Sequence, residues 1–256
     1  MLSSAYGDIV SRRYLILLVD DSEQVLTAIA TCLNRMNFDV LPVHSGPDAL
    51  NFMRVLSPDA VFLDARMPGV SGIEVLHQVR EHDLLQSVPL VLLTESEVDE
   101  AAGRPYGCTS FLRKPILLEA FNHLLNELFP FPKGPRQHLR APMNQRVALH
   151  YDDRYTLCHA VTLSEGGVYL RRVTPLPVGS PVAVSIPEDG IERLRLRGEV
   201  IYTREISGRK FTMPPGMAIR FTHLSDSDID VLRRIVSNLL VGDLLAEQIE
   251  PVLAIN

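Results

Sequence analysis

No apolar run in this chain approaches the roughly 18 residues that a helix needs to cross a bilayer. The stretch Tyr14-Leu15-Ile16-Leu17-Leu18-Val19 follows Arg12-Arg13 but stops at Asp20-Asp21, so it reads as a buried strand and not as a signal peptide. Cysteine is scarce. Cys32, Cys108 and Cys158 are odd in number and lack metal-ligand spacing, which argues against a disulfide framework and a zinc site and fits a reducing cytoplasm. The histidines, His138, His150 and His159 among them, show no ligand spacing either. There is no internal repeat and no low-complexity tract. A large basic excess is also missing: the net charge is −6, which disfavours DNA as a partner.

What is present is an ordinary globular composition, 46% hydrophobic and 22% charged, over 256 residues, a length that suits two domains. The charge is uneven. Residues 1–130 hold 9 Lys+Arg against 17 Asp+Glu, whereas residues 131–256 hold 16 against 14, so an anionic ligand suits the second half better. The run Pro130-Phe131-Pro132-Lys133-Gly134-Pro135 cannot continue a helix and marks a boundary. The expected division is a first domain over 1–130, a linker over 131–142 and a second domain over 143–256.

Five apolar runs precede that boundary: Leu15–Val19, Phe38–Val43, Ala60–Leu63, Pro89–Leu93 and Thr109–Leu112. They alternate with segments of helical periodicity at Glu23–Asn34, Pro47–Leu56, Gly72–Arg80 and about Ile116–Phe129. This predicts an α/β fold, a (βα)5 doubly wound parallel sheet covered on both faces. The segment Glu97–Tyr106, with Gly103 and Pro105, is a poor helix former, so the fourth helix is expected to be short. Ligands of such sheets gather at the carboxyl ends of the strands, where Asp20, Asp21, Asp64, Thr94 and Lys114 fall. Three carboxylates in one crevice repel each other, and a hard divalent cation, naturally Mg2+, relieves that repulsion. Asp64 can then act as nucleophile on an activated phosphoryl group, with Lys114 supplying a charge and Thr94 a hydroxyl to the product.

Val19-Asp20-Asp21-Ser22, Phe62-Leu63-Asp64-Ala65-Arg66-Met67-Pro68-Gly69 with Ser71-Gly72, then Thr94, then Phe111-Leu112-Arg113-Lys114-Pro115 occur in that order. Together they resemble the receiver domain of bacterial two-component response regulators, over about half the chain. The resemblance implies that Asp64 is the phosphoacceptor and that Asp20, Asp21, Asp64 and the carbonyl of Arg66 hold Mg2+. It also implies that Lys114 and Thr94 bind the phosphoryl group, that Phe111 is an aromatic switch residue and that the Lys114–Pro115 peptide is cis. Glu95 departs from the pattern, standing beside Thr94 where receivers usually carry a small residue, and is expected to slow phosphotransfer or dephosphorylation. A phosphatase or mutase that also forms an aspartyl phosphate usually has a second Asp two positions after the nucleophile. Arg66 stands there instead, so no general acid for turnover is evident and an enzyme is not expected.

Beyond the boundary the pattern changes to short runs separated by turn residues: Arg146–Tyr151, Thr156–Leu163, Gly167–Arg172, Pro181–Ile186, Arg193–Tyr202 and Met217–Phe221. Arg193-Leu194-Arg195-Leu196-Arg197 alternates with period two, one face wet and one buried. Six such strands predict an antiparallel β-barrel, followed by a C-terminal helix that Ser225 caps and that begins with Asp226, Asp228 and Asp230. Arg136 and Arg140, four residues apart, suit phosphate oxygens and the guanine edge. Thr162-Leu163-Ser164-Glu165-Gly166-Gly167 places two hydroxyls on one side of a strand, with glycines that let a ligand approach the backbone.

The Arg-x-x-x-Arg pair, the Ser-x-x-Gly stretch and Met217-Ala218-Ile219-Arg220-Phe221 are similar to the PilZ domain, a small β-barrel that in many members binds cyclic di-GMP. By that resemblance Arg136 and Arg140 clamp the nucleotide while Thr162, Ser164 and Gly167 line the strand side. Thr162 stands where the pattern has Asp or Asn. A hydroxyl offers guanine one contact where a carboxylate or amide offers more, so weakened or lost binding is expected.

The combined expectation is a cytoplasmic response regulator that accepts a phosphoryl group on Asp64 from a sensor histidine kinase and couples it to cyclic di-GMP binding or output by a PilZ domain. The alternative is a phosphorylation-controlled interaction module whose PilZ domain binds no nucleotide and serves an unknown downstream protein. Homodimerisation is left open.

Overall fold

The computed structural model describes residues 13–81, 87–129, 138–188, 191–205, 214–247 and 251–255. Its contacts divide the chain into two compact units. Among the described residues one comprises 13–129 with 241–255, and the other 138–240.

The first unit begins with β1 (Leu15–Val19), α1 (Glu23–Arg35), β2 (Asp39–Val43), α2 (Gly46–Leu56), β3 (Ala60–Asp64) and α3 (Gly72–Arg80). It continues with β4 (Leu90–Thr94), α4 (Glu97–Gly103), a 3-10 turn at Arg104–Tyr106, β5 (Ser110–Arg113), β6 (Ile116–Leu117) and α5 (Leu118–Leu128). The main sheet is parallel with strand order β2-β1-β3-β4-β5. Both faces are covered at its centre, which is why β1, β3 and β4 read as apolar runs. On one face Leu17, Val19, Val61, Leu63, Leu90 and Leu92 pack with Ala49 and Met53 of α2 and Val75, Leu76 and Val79 of α3. The alternate residues Ile16, Leu18 and Phe62 are also fully buried, and the Phe62 ring lies 5.8 Å from that of Phe121 on α5.

Helix starts follow their caps. Ser22 accepts from the Val25 amide at the head of α1, and Ser71 and Glu74 form a reciprocal capping box on α3. The fourth helix is short, as its glycine and proline predict.

The second unit holds β7 (Arg140–Tyr151), β8 (Arg154–Ser164), β9 (Gly167–Arg171), β10 (Pro181–Glu188), β11 (Ile191–Arg204) and β12 (Gly216–Phe221). They close into an antiparallel barrel in the order β10-β11-β12-β9-β8-β7. Val147, Leu149, Val184, Ile186, Leu196 and Val200 fill it. The helix α6 (Asp226–Ser237) follows, with a Ser225–Asp228 capping box.

The boundaries differ from the sequence reading in two places. Arg140 lies in β7 and not in a linker, because β7 pairs with β8 as far as Arg140 opposite Ser164. Residues from Val241 on belong with the first unit, not the barrel. After a π turn at Asn238–Gly242 and α7 (Asp243–Glu247), the strand β13 (Leu253–Ala254) pairs in parallel with β6. The Ile116 amide donates to the Val252 carbonyl at 2.8 Å, and Arg35 meets Asp243 through two bonds of 2.6 Å. Nothing in the local pattern of this tail signals such a distant partner.

Hydrogen bonding from Arg35 brings the Asp243 carboxyl down to about 2. Because the folded value lies below the ordinary carboxylate range, the pair contributes in full above that range and its contribution is lost as pH falls toward about 2. Asp243 is 59% exposed, which limits the effect to about 1 kcal/mol or less. Asp243→Ala is expected to lower stability by that amount at pH 7 and to speed hydrogen exchange at the Ile116 amide. Exchange as slow as in the parent would mean that the pair does not hold the tail.

Candidate functional site

The strand order reverses direction between β1 and β3, and this switch point puts Asp20 and Asp64 at neighbouring strand ends. Both are buried, at 1% and 5% exposure. Lys114, on the loop after β5, reaches between them: its Nζ donates to Asp20 Oδ2 at 2.7 Å and to Asp64 Oδ1 at 2.8 Å. The remaining oxygens take backbone amides, Asp20 Oδ1 from Ser22 at 2.9 Å and Asp64 Oδ2 from Arg66 at 3.0 Å. The Lys114–Pro115 peptide is cis.

Burial pushes the Asp64 carboxyl up to about 6, against the pull of Lys114, and the Asp20 charge adds to the rise. Burial opposes the charge on Lys114, but Asp64 and Asp20 outweigh it and hold the ammonium above its ordinary value. Thr94 ends β4 at 1% exposure, and its Oγ1 has no hydrogen-bond partner among the described residues. Asp21 is exposed. Among the described residues no three acidic, His or Cys side chains gather at metal-holding distance; Asp20 and Asp64 share the Lys114 ammonium while Asp21 lies at the surface. Phe111 is half-buried, and Arg104 lies over its ring at 5.1 Å.

Arg66, named above only for its carbonyl, also has a side-chain role. Its Nε donates to Asp99 Oδ1 at 2.7 Å and its NH2 to Ser96 Oγ at 3.1 Å, with Glu95 at 3.9 Å. Burial disfavours the Asp99 charge, yet bonds from Arg66, Ser96 and the Glu95 amide hold its carboxyl below the ordinary value. The loop after β3 is thereby tied to the start of α4. Gly72 adds a steric constraint: a Cβ there would stand 1.9 Å from the Asp64 carbonyl oxygen, so only glycine lets α3 start this close to the acidic pair.

In the barrel, Arg140 is exposed and pairs across strands with Ser164, while Thr162, half-buried, pairs with Pro142. Arg136 lies outside the described residues. Gly167 is required by packing: a Cβ there would meet the Ile219 carbonyl oxygen of β12 at 2.3 Å. The Ser164 hydroxyl is used within the same hairpin, donating to the Gly167 carbonyl at 3.2 Å. Glu165, nearly buried at this turn, meets His138 Nδ1 at 3.3 Å and Arg233 of α6 at 3.4 Å. No spacing in the sequence pointed to Glu165, since its partners lie 27 and 68 residues away.

Residues 16–126 match the response regulator receiver domain family, and residues 135–238 the PilZ domain family. The chain joins a receiver domain to a PilZ domain. Both are regulatory modules. The receiver is 32% identical over 101 residues to the alkaline phosphatase synthesis transcriptional regulatory protein PhoP of Bacillus subtilis, covering 40% of this chain and 42% of that protein. It is 29% identical over 116 residues to protein PilH of Pseudomonas aeruginosa, covering 43% of this chain and 96% of that one. The chain spans less than half the length of the first curated relatives it matches, at 42%, 44% and 40%. Among solved structures, the chemotaxis response regulator CheY4 of Vibrio cholerae is 25% identical, covering 46% of this chain and 99% of that one with a TM-score of 0.43.

Within the receiver the structure brings Asp20, Asp64, Lys114 and the Arg66 amide together and leaves Asp21 at the surface. The Thr94 hydroxyl is the polar group that this arrangement leaves unmet. A buried hydroxyl without a partner costs stability, and Val has the same shape and suits a strand. Thr94→Val is therefore expected to raise the urea unfolding midpoint, by a free energy of about 1 kcal/mol. A lower midpoint would show that Thr94 already has a partner in solution.

Proposed function

We propose that this chain is a response regulator in which Asp64 takes a phosphoryl group from a sensor histidine kinase and the PilZ domain delivers the output. The observation that carries this is the Lys114 ammonium between Asp20 and Asp64, beside a buried Thr94 hydroxyl with no partner. An Asp64 oxygen forms a bond to phosphorus while the donor's bond to phosphorus breaks and its electron pair stays on the donor. Lys114 then follows the negative charge onto the phosphoryl oxygens, and the Thr94 hydroxyl donates to one of them.

Asp20, Asp64 and the Arg66 carbonyl, with Asp21 beside them, offer the hard oxygen donors that suit Mg2+. When bound, that ion would draw the Asp64 carboxyl down toward its ionised form and screen the incoming phosphate. Glu95 and Arg66 flank this mouth as a charged pair, and we read them as slowing its traffic. With no second acid two positions after Asp64, turnover of a foreign substrate is not proposed.

Incubation with acetyl phosphate and Mg2+ is expected to add the mass of one phosphoryl group to the intact protein. Asp64→Asn should add none, and Thr94→Val should react more slowly although it folds more stably. Equal labelling of Asp64→Asn would remove the assignment.

For the PilZ domain, cyclic di-GMP is the ligand we favour, with Arg140 and Thr162 on one outer face of the barrel as the support. The second reading, an interaction module without nucleotide, draws on Thr162 itself and on Ser164 and Gly167 serving the hairpin. Calorimetric titration of the full chain separates them. Under the first, Arg140→Ala weakens binding by about tenfold, the worth of one charge-assisted contact, and Thr162→Asp tightens it. No heat from either the parent or Thr162→Asp leaves the second reading standing.

A further inference from the structure

The outer wall of the barrel carries a second feature, toward the other end of the β7–β8 hairpin from Thr162 and Ser164. Cross-strand partners share a face of a sheet, and the register sets three outward rows. One runs Arg197, Ala183, His150, Tyr155. The next runs Arg195, Ser185, Ala148, Leu157. The third runs Arg146, His159, Arg171. The intervening residues, among them Val147, Leu149, Cys158, Val184 and Leu196, are buried in the barrel, which fixes the direction of the rows.

The middle of this face is small and low. Ala148 and Ser185 are buried although they point outward, and Ala183 lines a depression of about 440 Å³ with Arg154, Tyr155 and Arg195 at its edge. The His150 Nε2 lies 3.0 Å from Ser185 Oγ and its ring 5.9 Å from that of Tyr155, so the wall of the depression is braced. Beside it Tyr155 and Leu157 are 69% and 57% exposed. Several guanidiniums elsewhere pair with acids, Arg35 with Asp243, Arg66 with Asp99 and Arg113 with Glu100. Among the described residues Arg146, Arg154, Arg171, Arg195 and Arg197 have no carboxylate partner.

We propose that this face docks a protein segment that presents acidic side chains around one large apolar side chain. The apolar side chain fills the depression against Ala183 and Tyr155, and the carboxylates pair with Arg195 and Arg197 on one bank and Arg146 on the other. Arginine and tyrosine around a shallow apolar centre are the composition of protein-binding hot spots. Nucleic acid fits less well. It wants successive aromatic platforms, whereas here Tyr155 is the one strongly exposed ring.

The probe is a fluorescent synthetic peptide with glutamates on both sides of a single leucine, titrated against the full chain by anisotropy at low and high salt. Binding is expected at low salt, to fall with salt, and to weaken by at least about tenfold in Arg195→Glu/Arg197→Glu and in a peptide with alanine for leucine. The milder Arg195→Gln/Arg197→Gln guards against a folding defect, and circular dichroism checks both variants. Absence of binding at low salt, equal binding by folded variants, or tighter binding of a single-stranded oligonucleotide or phosphatidylglycerol vesicles would each overturn the proposal.

Discussion

Two carboxylates buried at the ends of adjacent parallel strands must be met by positive charge, and much of the first unit is arranged around that demand. The β1–β3 neighbourhood brings Asp20 and Asp64 together, and the loop after β5 delivers the Lys114 ammonium between them. Backbone amides at Ser22 and Arg66 take the remaining lone pairs. Among the described residues the buried polar atom left unmet is the Thr94 hydroxyl, which keeps a donor for one further acceptor.

A second network, built on Arg66 and Asp99, spans the mouth of the same site. It turns a residue that sequence comparison values for its carbonyl into a strap between the loop after β3 and the start of α4. In the barrel the equivalent organising group is Glu165, whose carboxylate gathers His138 and Arg233 and so fixes the β8–β9 turn against α6. Both are nearly buried acids held by arginine, an arrangement in which loss of one partner is costly even where the pair itself adds little.

The parallel sheet was legible in the sequence because strands buried on both faces are apolar at every position, and the acids that end β1 and β3 break that rule visibly. Ser225 announced α6 through local capping chemistry, and the structure shows Ser71 capping α3 in the same way. The period-two run of arginines and leucines on β11 gave the barrel's inner and outer faces. What escaped were contacts set by tertiary distance. Asp243 and Leu253 are unremarkable in their own neighbourhood and acquire meaning only from Arg35 and Ile116. Gly167 carries a demand the sequence did not reveal, the close approach of the β12 backbone.

The return of the tail to the first unit makes the barrel an insertion in topological terms, its polypeptide leaving after α5 and re-entering before β13. A fragment cut at the proline run would bare the Ile116 amide and the apolar surface against which Val252 and Leu253 are buried.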